Sequence, residues 1–326
     1  MADVITLGEA MLRLSPPRQG RLETATSFDA VIGGSELNVA AALAHLGRSV
    51  QFLTKLPRSP LGRLVLHRSH EHGVRTDFVV WSDDRLGLYF YEVGLTPRPS
   101  QVLYDRAESA ASRLTATEID WSTVFHRARI FHTSGITAAL SPASFQTVRA
   151  GLQAAQQLDL LRTFDLNYRS RLWTPEAAAD AYAQLLPWCS VVFASAPALR
   201  TFFHMEGTPS EAAHQLARDF GLQWVVLTER QEEESQRGRL EALAVSNNGH
   251  TYHTSPRHFE IADRLGGGDA FVAGFLDGLL DHDIQQALDR GLALAAFKHT
   301  IPGEFCVITR EELTETLSTG IRQIVR

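Results

Sequence analysis

The sequence predicts an α/β fold in which a mainly parallel sheet is covered by helices on both faces. Short apolar runs alternate with longer segments of helical period, and capping residues mark where the helices begin and end. No apolar run approaches the ~18 residues that a membrane-spanning helix needs. Buried strands are predicted at residues 3–7, 50–54, 129–134, 162–167, 190–195 and 224–228.

Helix boundaries between these strands follow from capping residues. Thr174 is predicted to cap one helix, and Ser210 to begin another that ends at Gly221. Near the end of the sequence, Thr309 and Glu312 form the T-x-x-E pattern of a capping box. In sheets of this kind ligands bind beyond the carboxyl ends of the strands, so residues that follow a strand are the first candidates for a site.

Two segments break the alternation and predict a second, smaller unit. Residues 11–32 and 83–106 are rich in strand-forming and turn residues and have no helical period. We expect them to form a small β-sheet lid on a main domain made of residues 1–10, 33–82 and 107–326. Because exposed edge strands pair readily, a homodimer formed through the lid is a further expectation.

Composition and charge exclude several classes of function. The 326 residues carry a net charge of −6, which argues against nucleic acid or an anionic membrane as the main partner. Cys189 and Cys306 form no C-x-x-C pair, and the start of the sequence lacks the basic segment of a signal peptide. We therefore expect a cytoplasmic protein, in which a few Arg or Lys side chains would bind any anionic substrate.

The stretch DRLGGGDAFVAGF, residues 263–275, places three glycines before an acid and an apolar helical pattern. A helix that begins at about Gly268 or Asp269 would present the N–H groups of Gly266, Gly267 and Gly268 to an anion such as phosphate. Asp269 would then accept a proton from an attacking hydroxyl. A Gly-rich turn followed by an acid that favours the helix dipole is the alternative interpretation. The motif is neither a P-loop nor a G-x-G-x-x-G fingerprint.

A second Gly-rich motif, GGSELNVAAALAHLG at residues 33–47, precedes another predicted helix. Gly33 and Gly34 would let a ligand approach the backbone closely. Asn38, one helical turn later, carries an amide that can donate to and accept from sugar hydroxyls. Taken alone, the motif is also typical of a Gly-rich connection followed by an incidental Asn.

The two motifs together resemble the signatures of the PfkB/ribokinase family of sugar kinases. Further segments, among them TLGEAMLRLSPP, FHTSGITAALS, DLNYRSRLW and KHTIPGE, resemble the 2-keto-3-deoxygluconate kinases of that family. The resemblance implies a ribokinase-like, doubly wound α/β domain with a β-sheet lid. It also implies transfer of the ATP γ-phosphoryl group, with Mg²⁺, to the terminal hydroxyl of 2-keto-3-deoxygluconate.

The resemblance also implies roles for particular residues. The sugar acid would be bound by Gly33, Gly34, Asn38, Tyr89, Tyr104, Arg106, Ile136 and Arg169. The nucleotide would be bound by Asp165, Asn167, Thr228, Arg230, Gly266, Gly268 and Lys298. Asp269 would act as the base, and the three glycine N–H groups would stabilise the transferred phosphoryl oxygens. The planar guanidinium groups of Arg106 and Arg169 suit a carboxylate, although a surface ion pair is the ordinary role of a single Arg.

Two regions depart from the family pattern. Where many members carry an N-x-x-E motif near the metal, this sequence reads SAPA at residues 195–198, so the metal ligands stay unassigned. The nucleotide loop, often T-x-G-x-x-G, reads TERQEEESQRGRLEA at residues 228–242. Its acidic run at residues 232–234 would repel phosphate, so we expect that run to be a solvated loop turned outward. Two alternatives therefore remain: a kinase for another sugar or sugar acid, and a catalytically weak relative that binds a sugar acid as a sensor.

Overall fold

A computed structural model describes residues 2–234 and 236–319 of the chain. The strands are β1 (Val4–Leu7), β2 (Met11–Ser15), β3 (Asp29–Gly33), β4 (Val50–Leu53), β5 (Lys55–Pro57), β6 (Val80–Ser82), β7 (Gly87–Glu92), β8 (Gln101–Asp105), β9 (Ile130–Ser134), β10 (Leu161–Asp165), β11 (Val191–Ala194), β12 (Trp224–Glu234), β13 (Arg237–Ser246), β14 (Thr251–His253) and β15 (Arg257–Glu260). The α-helices are α1 (Ser35–His45), α2 (Pro60–Glu71), α3 (Trp121–Val124), α4 (Gly135–Ala139), α5 (Pro142–Gln157), α6 (Pro175–Leu185), α7 (Ala196–Phe203), α8 (Pro209–Phe220), α9 (Gly267–Leu280), α10 (Ile284–His299) and α11 (Arg310–Thr319).

The main sheet is parallel over most of its width, which confirms the predicted fold class. Its order is β14–β13–β12–β11–β10–β9–β1–β4, and β15 pairs with the other half of β13. Every neighbouring pair from β12 to β4 is parallel, whereas β13, β14 and β15 add antiparallel strands at one edge. Because β4 and β9 lie on opposite sides of β1, the connections diverge there, and ligands bind at such points beyond the strand ends.

Helices cover both faces of this sheet because both faces are apolar. One core cluster joins the sheet to α1, α9 and α10, and it contains Phe52 and Phe275. The other joins the sheet to α5, α6, α7 and α8, and it contains Phe131 and Phe164. Burial on both faces explains why the strands read as continuous apolar runs. Within residues 2–234 and 236–319, no helix has the length and apolar character needed to cross a bilayer.

A separate four-stranded sheet forms the predicted lid. Its order is β3–β2–β7–β8, in which β2 and β7 are parallel and the two outer pairs are antiparallel. Its inner face, formed by Met11, Tyr89 and Tyr91, packs against Leu265 in the Gly-rich segment before α9. The lid therefore lies over the beginning of α9. The domain boundaries stay a prediction, and a further small sheet of β5 with β6 was not expected.

The loop predicted for the acidic run at residues 232–234, within the segment 228–242, was wrong, because these residues belong to β12. β12 and β13 form a long antiparallel hairpin across this segment, in which Thr228 pairs with Ala242 and Arg230 with Leu240. The polar residues 229–234 are held in the strand by backbone pairing with β13. Because none of them is apolar, the sequence contains no apolar run that would predict a strand there. The side chains of residues 232–234, which we expected to face outward, lie outside the described residues.

The predicted helix caps were correct at two of three places. Thr174 accepts a hydrogen bond from the first turn of α6, and Thr309 and Glu312 form the reciprocal bonds of a capping box. Helix α8, however, does not begin at Ser210. Thr208 is its cap, because the Thr208 hydroxyl and the Glu211 carboxylate satisfy each other's backbone N–H groups.

Candidate active site

The Gly-rich segment ends in helix α9, which begins at Gly267 with Gly266 as its cap. Gly266 has a φ of 79°, and a Cβ atom there would overlap the carbonyl oxygen of Glu304. Only glycine therefore fits this position. Gly268, in contrast, has no neighbour within 4 Å of the place of a Cβ atom, and it lines a cavity. The first N–H groups of a helix lack acceptors within it, so this open side of the loop suits an anion.

Asp269 lies in the first turn of α9 between two hydrogen-bond donors. Its Oδ1 atom accepts from Ser35 Oγ at 2.7 Å, and its Oδ2 atom accepts from Asn38 Nδ2 at 2.7 Å. Ser35 Oγ also accepts from Asn167 Nδ2 at 2.9 Å, which connects the segment after β10 to this site. Burial raises the pKa of Asp269, although both hydrogen bonds to the carboxylate lower it. A held carboxylate of raised pKa suits a general base.

A cavity of about 440 Å³ opens beside α9, at the carboxyl ends of β10 and β11 and next to the middle of β12. The predicted site residues that line it are Asp165, Asn167, Arg169, Thr228 and Gly268. Ser195, Pro197 and Ala198, which stand in place of the N-x-x-E motif, form part of the same wall. The cavity therefore brings together five of the predicted residues, four of them assigned to the nucleotide.

Asp165 is the carboxylate in this cavity wall. Burial and the nearby negative charge of Asp269 raise the pKa of Asp165 to about 7, while the Arg169 guanidinium lowers it. Among the described residues there is no group of three His, Cys, Asp or Glu side chains that would hold a metal by itself. Mg²⁺ is usually held by one or two carboxylates together with substrate phosphates. Asp165 fits such an ion, since a cation would relieve its repulsion from Asp269.

On the lid side, Tyr89, Tyr104 and Arg106 form a connected group. The buried Tyr89 hydroxyl donates to Glu304 Oε1 at 2.6 Å, and its ring centre lies 5.8 Å from that of Tyr104. The Arg106 guanidinium carbon lies 5.5 Å from the Tyr104 ring centre. Arg106 is only 8% exposed and pairs with Glu9 through Nη2, but its Nε has no hydrogen-bond partner among the described residues. A buried guanidinium N–H in this state suits a carboxylate ligand.

Three other predicted substrate residues have a structural role of their own. A Cβ atom on Gly33 would overlap the Glu304 side chain, and one on Gly34 would overlap the carbonyl oxygen of Glu9. Both glycines are thus needed for packing, whatever else they contact. Ile136 lies half-buried in α4, directly after β9, where its N–H donates to Ser134 Oγ at 3.2 Å.

Lys298 and Arg230 lie away from the cavity in the part of the chain that the structure describes. Lys298 is fully buried, donates from Nζ to the Ile301 carbonyl at 2.9 Å, and has a pKa lowered by burial. The Arg230 guanidinium carbon lies 5.9 Å from the ring centre of Phe259. The nucleotide-binding roles expected for Lys298 and Arg230 stay predictions.

Sequence reasoning missed the polar side chains that hold the site residues in place. They are Glu9, Arg13, Ser35, Glu36 and Glu304. All five stand in segments noted for their family resemblance, but no spacing rule assigns a contact to them. For one of them a local signal existed. Glu36 is an acid in the otherwise apolar stretch that forms α1, and such an acid is expected to have buried partners.

Glu36 has those partners at the carboxyl end of β9. Its Oε1 atom accepts from Ser134 Oγ at 2.6 Å and from Thr137 Oγ1 at 2.7 Å. Burial nevertheless raises its pKa from the usual 4.5 to about 7. Glu36, Asp165 and Asp269 thus form a group of three interacting acids, each with a raised pKa. Glu36 is buried, and the other two are half-buried.

The fold, the carboxylate held at the beginning of α9 and the adjoining cavity are what the sequence resemblance to carbohydrate kinases led us to expect. The pattern of the pfkB family of carbohydrate kinases matches residues 1–304, and the chain belongs to this family. The 2-dehydro-3-deoxygalactonokinase of Haloferax volcanii is 40% identical over 321 residues, which cover 98% of each chain. The 2-dehydro-3-deoxygluconokinase of Bacillus subtilis is 28% identical, covering 97% of this chain and 95% of that one. The crystal structure of the 2-dehydro-3-deoxygluconokinase from Thermotoga maritima is similar at a TM-score of 0.93 and 34% identity, covering 98% of this chain and 100% of that one.

Proposed function

We propose that this carbohydrate kinase transfers the γ-phosphoryl group of ATP to the terminal hydroxyl of 2-keto-3-deoxygluconate, giving the 6-phosphate. The observation that carries the proposal is the position of Asp269. Its carboxylate is held by Ser35 and Asn38 at 2.7 Å each, at the beginning of α9 beneath the lid. The names of the similar proteins support a keto-deoxy sugar acid as the acceptor.

In the proposed reaction, the oxygen of the acceptor hydroxyl forms a bond to the γ-phosphorus of ATP. Asp269 takes the proton of that hydroxyl. The bond from that phosphorus to the bridging oxygen of ADP breaks. N–H groups at the beginning of α9 stabilise the charge on the transferred oxygens. Asp165 would hold Mg²⁺ together with the nucleotide phosphates, and the bound ion supplies positive charge to the phosphoryl oxygens.

Arg106 and Arg169 supply the positive charge that an anionic acceptor needs on a chain of net charge −6. Arg106 is held by Glu9 on one side and keeps a buried Nε–H for the acceptor carboxylate. Arg169 is exposed at the cavity wall, where its charge lowers the pKa of both Asp165 and Asp269. We assign the acceptor carboxylate to these two guanidinium groups.

A second acceptor, 2-keto-3-deoxygalactonate, is favoured by the 40% identity to the Haloferax volcanii enzyme. The two acids differ in configuration at one carbon and share the carboxylate and the terminal hydroxyl. The same base and the same guanidinium groups would therefore serve both acceptors.

The test is ADP release from ATP and Mg²⁺ with a panel of neutral sugars, sugar acids and both keto-deoxy acids. We expect turnover on the keto-deoxy acids, and Asp269→Asn is expected to lower kcat by ~10²–10⁴. Arg106→Lys keeps the charge but loses the planar fork, so it should raise KM for the acid and leave KM for ATP unchanged. Binding of a sugar acid without turnover on any acceptor would favour the sensor. Turnover on neutral sugars alone would contradict the roles of Arg106 and Arg169.

The lid also supports a homodimer. Phe28 and Leu103 are large side chains on one face of the lid, and 39% and 51% of their surface is exposed. Burying these groups against a second lid would remove apolar surface from water. Sedimentation of the wild type and of Leu103→Glu tests this, and equal masses for both would contradict it.

The use of ATP and the two buried, unpaired cysteines support a cytoplasmic location.

A further inference from the structure

Glu304 lies in the segment after α10, where it is 5% exposed and in contact with both the lid and α1. We propose that Glu304 is a positioning residue that links the lid to the general base through the amide of Asn38. The inference rests on the proposed role of Asp269 as that base. Glu304 itself contacts Asn38 and not Asp269, so it would act only through the amide.

The Oε1 atom of Glu304 binds the lid. It accepts from Arg13 Nη1 at 2.9 Å and from the Tyr89 hydroxyl at 2.6 Å. Arg13 lies on β2 and Tyr89 on β7, the two central strands of the lid sheet. Arg13 also donates to Asp263 at 3.1 Å, so the lid is attached to the Gly-rich segment as well. One carboxylate oxygen thus receives two donors from the lid.

The Oε2 atom of Glu304 faces α1. It accepts from Asn38 Nδ2 at 3.4 Å, and the same Nδ2 atom donates to Asp269 Oδ2 at 2.7 Å. The two carboxylates together fix which way the amide points, because a rotated amide would bring its oxygen against both acids. The Asn38 Oδ1 atom then faces away from both acids, and it has no partner among the described residues. This buried oxygen is left to accept a hydroxyl of the substrate.

Glu304 affects Asp269 in two opposite ways. Its negative charge raises the pKa of Asp269, whereas the Asn38 hydrogen bond that it helps to orient lowers this pKa. Of these two effects the hydrogen bond is the larger. Removing the charge alone would therefore lower the pKa of Asp269, and losing the orientation of Asn38 would raise it. The sign of the change separates a positioning residue from a nearby charge.

The first test is Glu304→Gln, which keeps the shape of the side chain. Its oxygen is expected to stay with Arg13 and Tyr89, because two donors meet there. Its NH₂ group then faces Asn38 Nδ2, donor against donor, which pushes the Asn38 amide out of line and weakens its hydrogen bond to Asp269 Oδ2. We expect kcat to fall about 10- to 100-fold, and the acid limb of the pH–rate profile to move to higher pH.

The same change is to be read in the protein without substrate, by a ¹³C NMR titration of the Asp269 carboxyl assigned with Asp269→Asn. We expect a raised pKa of Asp269 in Glu304→Gln, and no further rise when this change is added to Asn38→Ala. An unchanged or lowered pKa of Asp269 in Glu304→Gln overturns the proposal. If the wild type phosphorylates no acceptor, the proposed function fails, and this titration still decides the role of Glu304.

Glu304→Asp separates charge from reach and covers the case in which the Gln variant does not fold. The shorter side chain keeps the negative charge but withdraws it from Asn38. We expect a raised pKa of Asp269 here too, with a smaller loss of kcat. Wild-type behaviour of Glu304→Asp, or a lower melting temperature with an unmoved acid limb in both variants, would mean that Glu304 serves only packing.

Discussion

Burial, and then repulsion from Asp269, raises the pKa of the half-buried Asp165, and this shift determines how the site responds to pH. The pKa of Asp165 is raised to about 7, so the carboxylate changes charge within the physiological range. A group with a raised pKa is protonated below that value, and a protonated carboxyl does not bind a cation. The metal requirement of the enzyme is therefore expected to depend on pH.

We predict that the Mg²⁺ concentration for half-maximal activity falls about tenfold between roughly pH 6 and pH 8. Initial rates at fixed nucleotide and varied Mg²⁺ measure it. Asp165→Asn is the matched control, because it keeps the size of the side chain and removes its titration. The part of the pH dependence that remains in Asp165→Asn belongs to the nucleotide itself. Equal dependence in both proteins would remove Asp165 from the metal site.

Sequence and structure agree at the level of single residues where a motif carries the information. Asp269 and Asn38 stand in signatures, and the structure brings them within 2.7 Å of each other. Glu304 lies outside both Gly-rich signatures, and Glu36 lies within one of them at a position for which no spacing rule predicts a contact. Their hydrogen-bond partners lie 98 to 291 positions away along the chain. Contacts between residues so far apart cannot be predicted from the local sequence. A buried acid in an apolar helix indicates that a partner exists, but not which one.

At the level of the elements, the beginning of α9 contains two glycines that are needed for different reasons. Gly266 is held against Glu304 with a φ of 79°, whereas Gly268 faces open space at the cavity. The sequence predicted this helix to within two residues, because glycine followed by an apolar helical period marks a helix start. The extension of β12 beyond Thr228 was missed because residues 229–234 are all polar and leave no such period.

We predict opposite effects for alanine at these two glycines. Gly266→Ala should lower the free energy of unfolding by about 2 kcal/mol or more. The alanine Cβ atom would clash with the Glu304 carbonyl oxygen, and alanine also disfavours the positive φ at this position. Gly268→Ala should leave it unchanged or raise it by up to about 1 kcal/mol, yet raise KM for ATP several-fold, since a methyl group enters the cavity. Urea unfolding and steady-state kinetics on both variants measure the two effects. A normal KM for ATP in Gly268→Ala would contradict phosphate binding at this loop.

Over the whole molecule, three acids of raised pKa make the folded state less stable as the pH rises. Glu36 changes from the usual 4.5 to about 7 in the folded chain. Between these values the folded state holds a proton that the unfolded state has released. Its stabilising contribution is therefore full below about pH 4.5 and is lost as the pH rises to about 7.

Glu36→Gln removes this dependence while Oε1 still accepts from Ser134 and Thr137. We expect the variant to be more stable than the wild type by at most about 3 kcal/mol at about pH 8, with no gain at about pH 4. Urea unfolding at several pH values measures the difference. A gain that is the same at every pH would mean that packing, and not the charge of Glu36, accounts for it.

The overall architecture followed from the sequence because each strand–helix unit carries its own apolar pattern. The lid was anticipated from a break in that pattern, and its sheet is indeed separate. The way the lid joins the base was not anticipated, since it depends on side chains from three distant parts of the chain. Local sequence patterns predict the strand–helix units and the lid. Which polar side chains form contacts between these units is known only from the folded structure.

The contact between Arg13 and Glu304 joins residues 291 positions apart. During synthesis the parallel sheet is able to grow from successive units as they emerge, but this contact has to wait for nearly the whole chain. Contacts of such long range form late and slow folding. A nascent or prematurely terminated chain would thus have most of its sheet and no closed site. Asp269 would be linked to the lid through Asn38 only after Glu304 has been added to the growing chain.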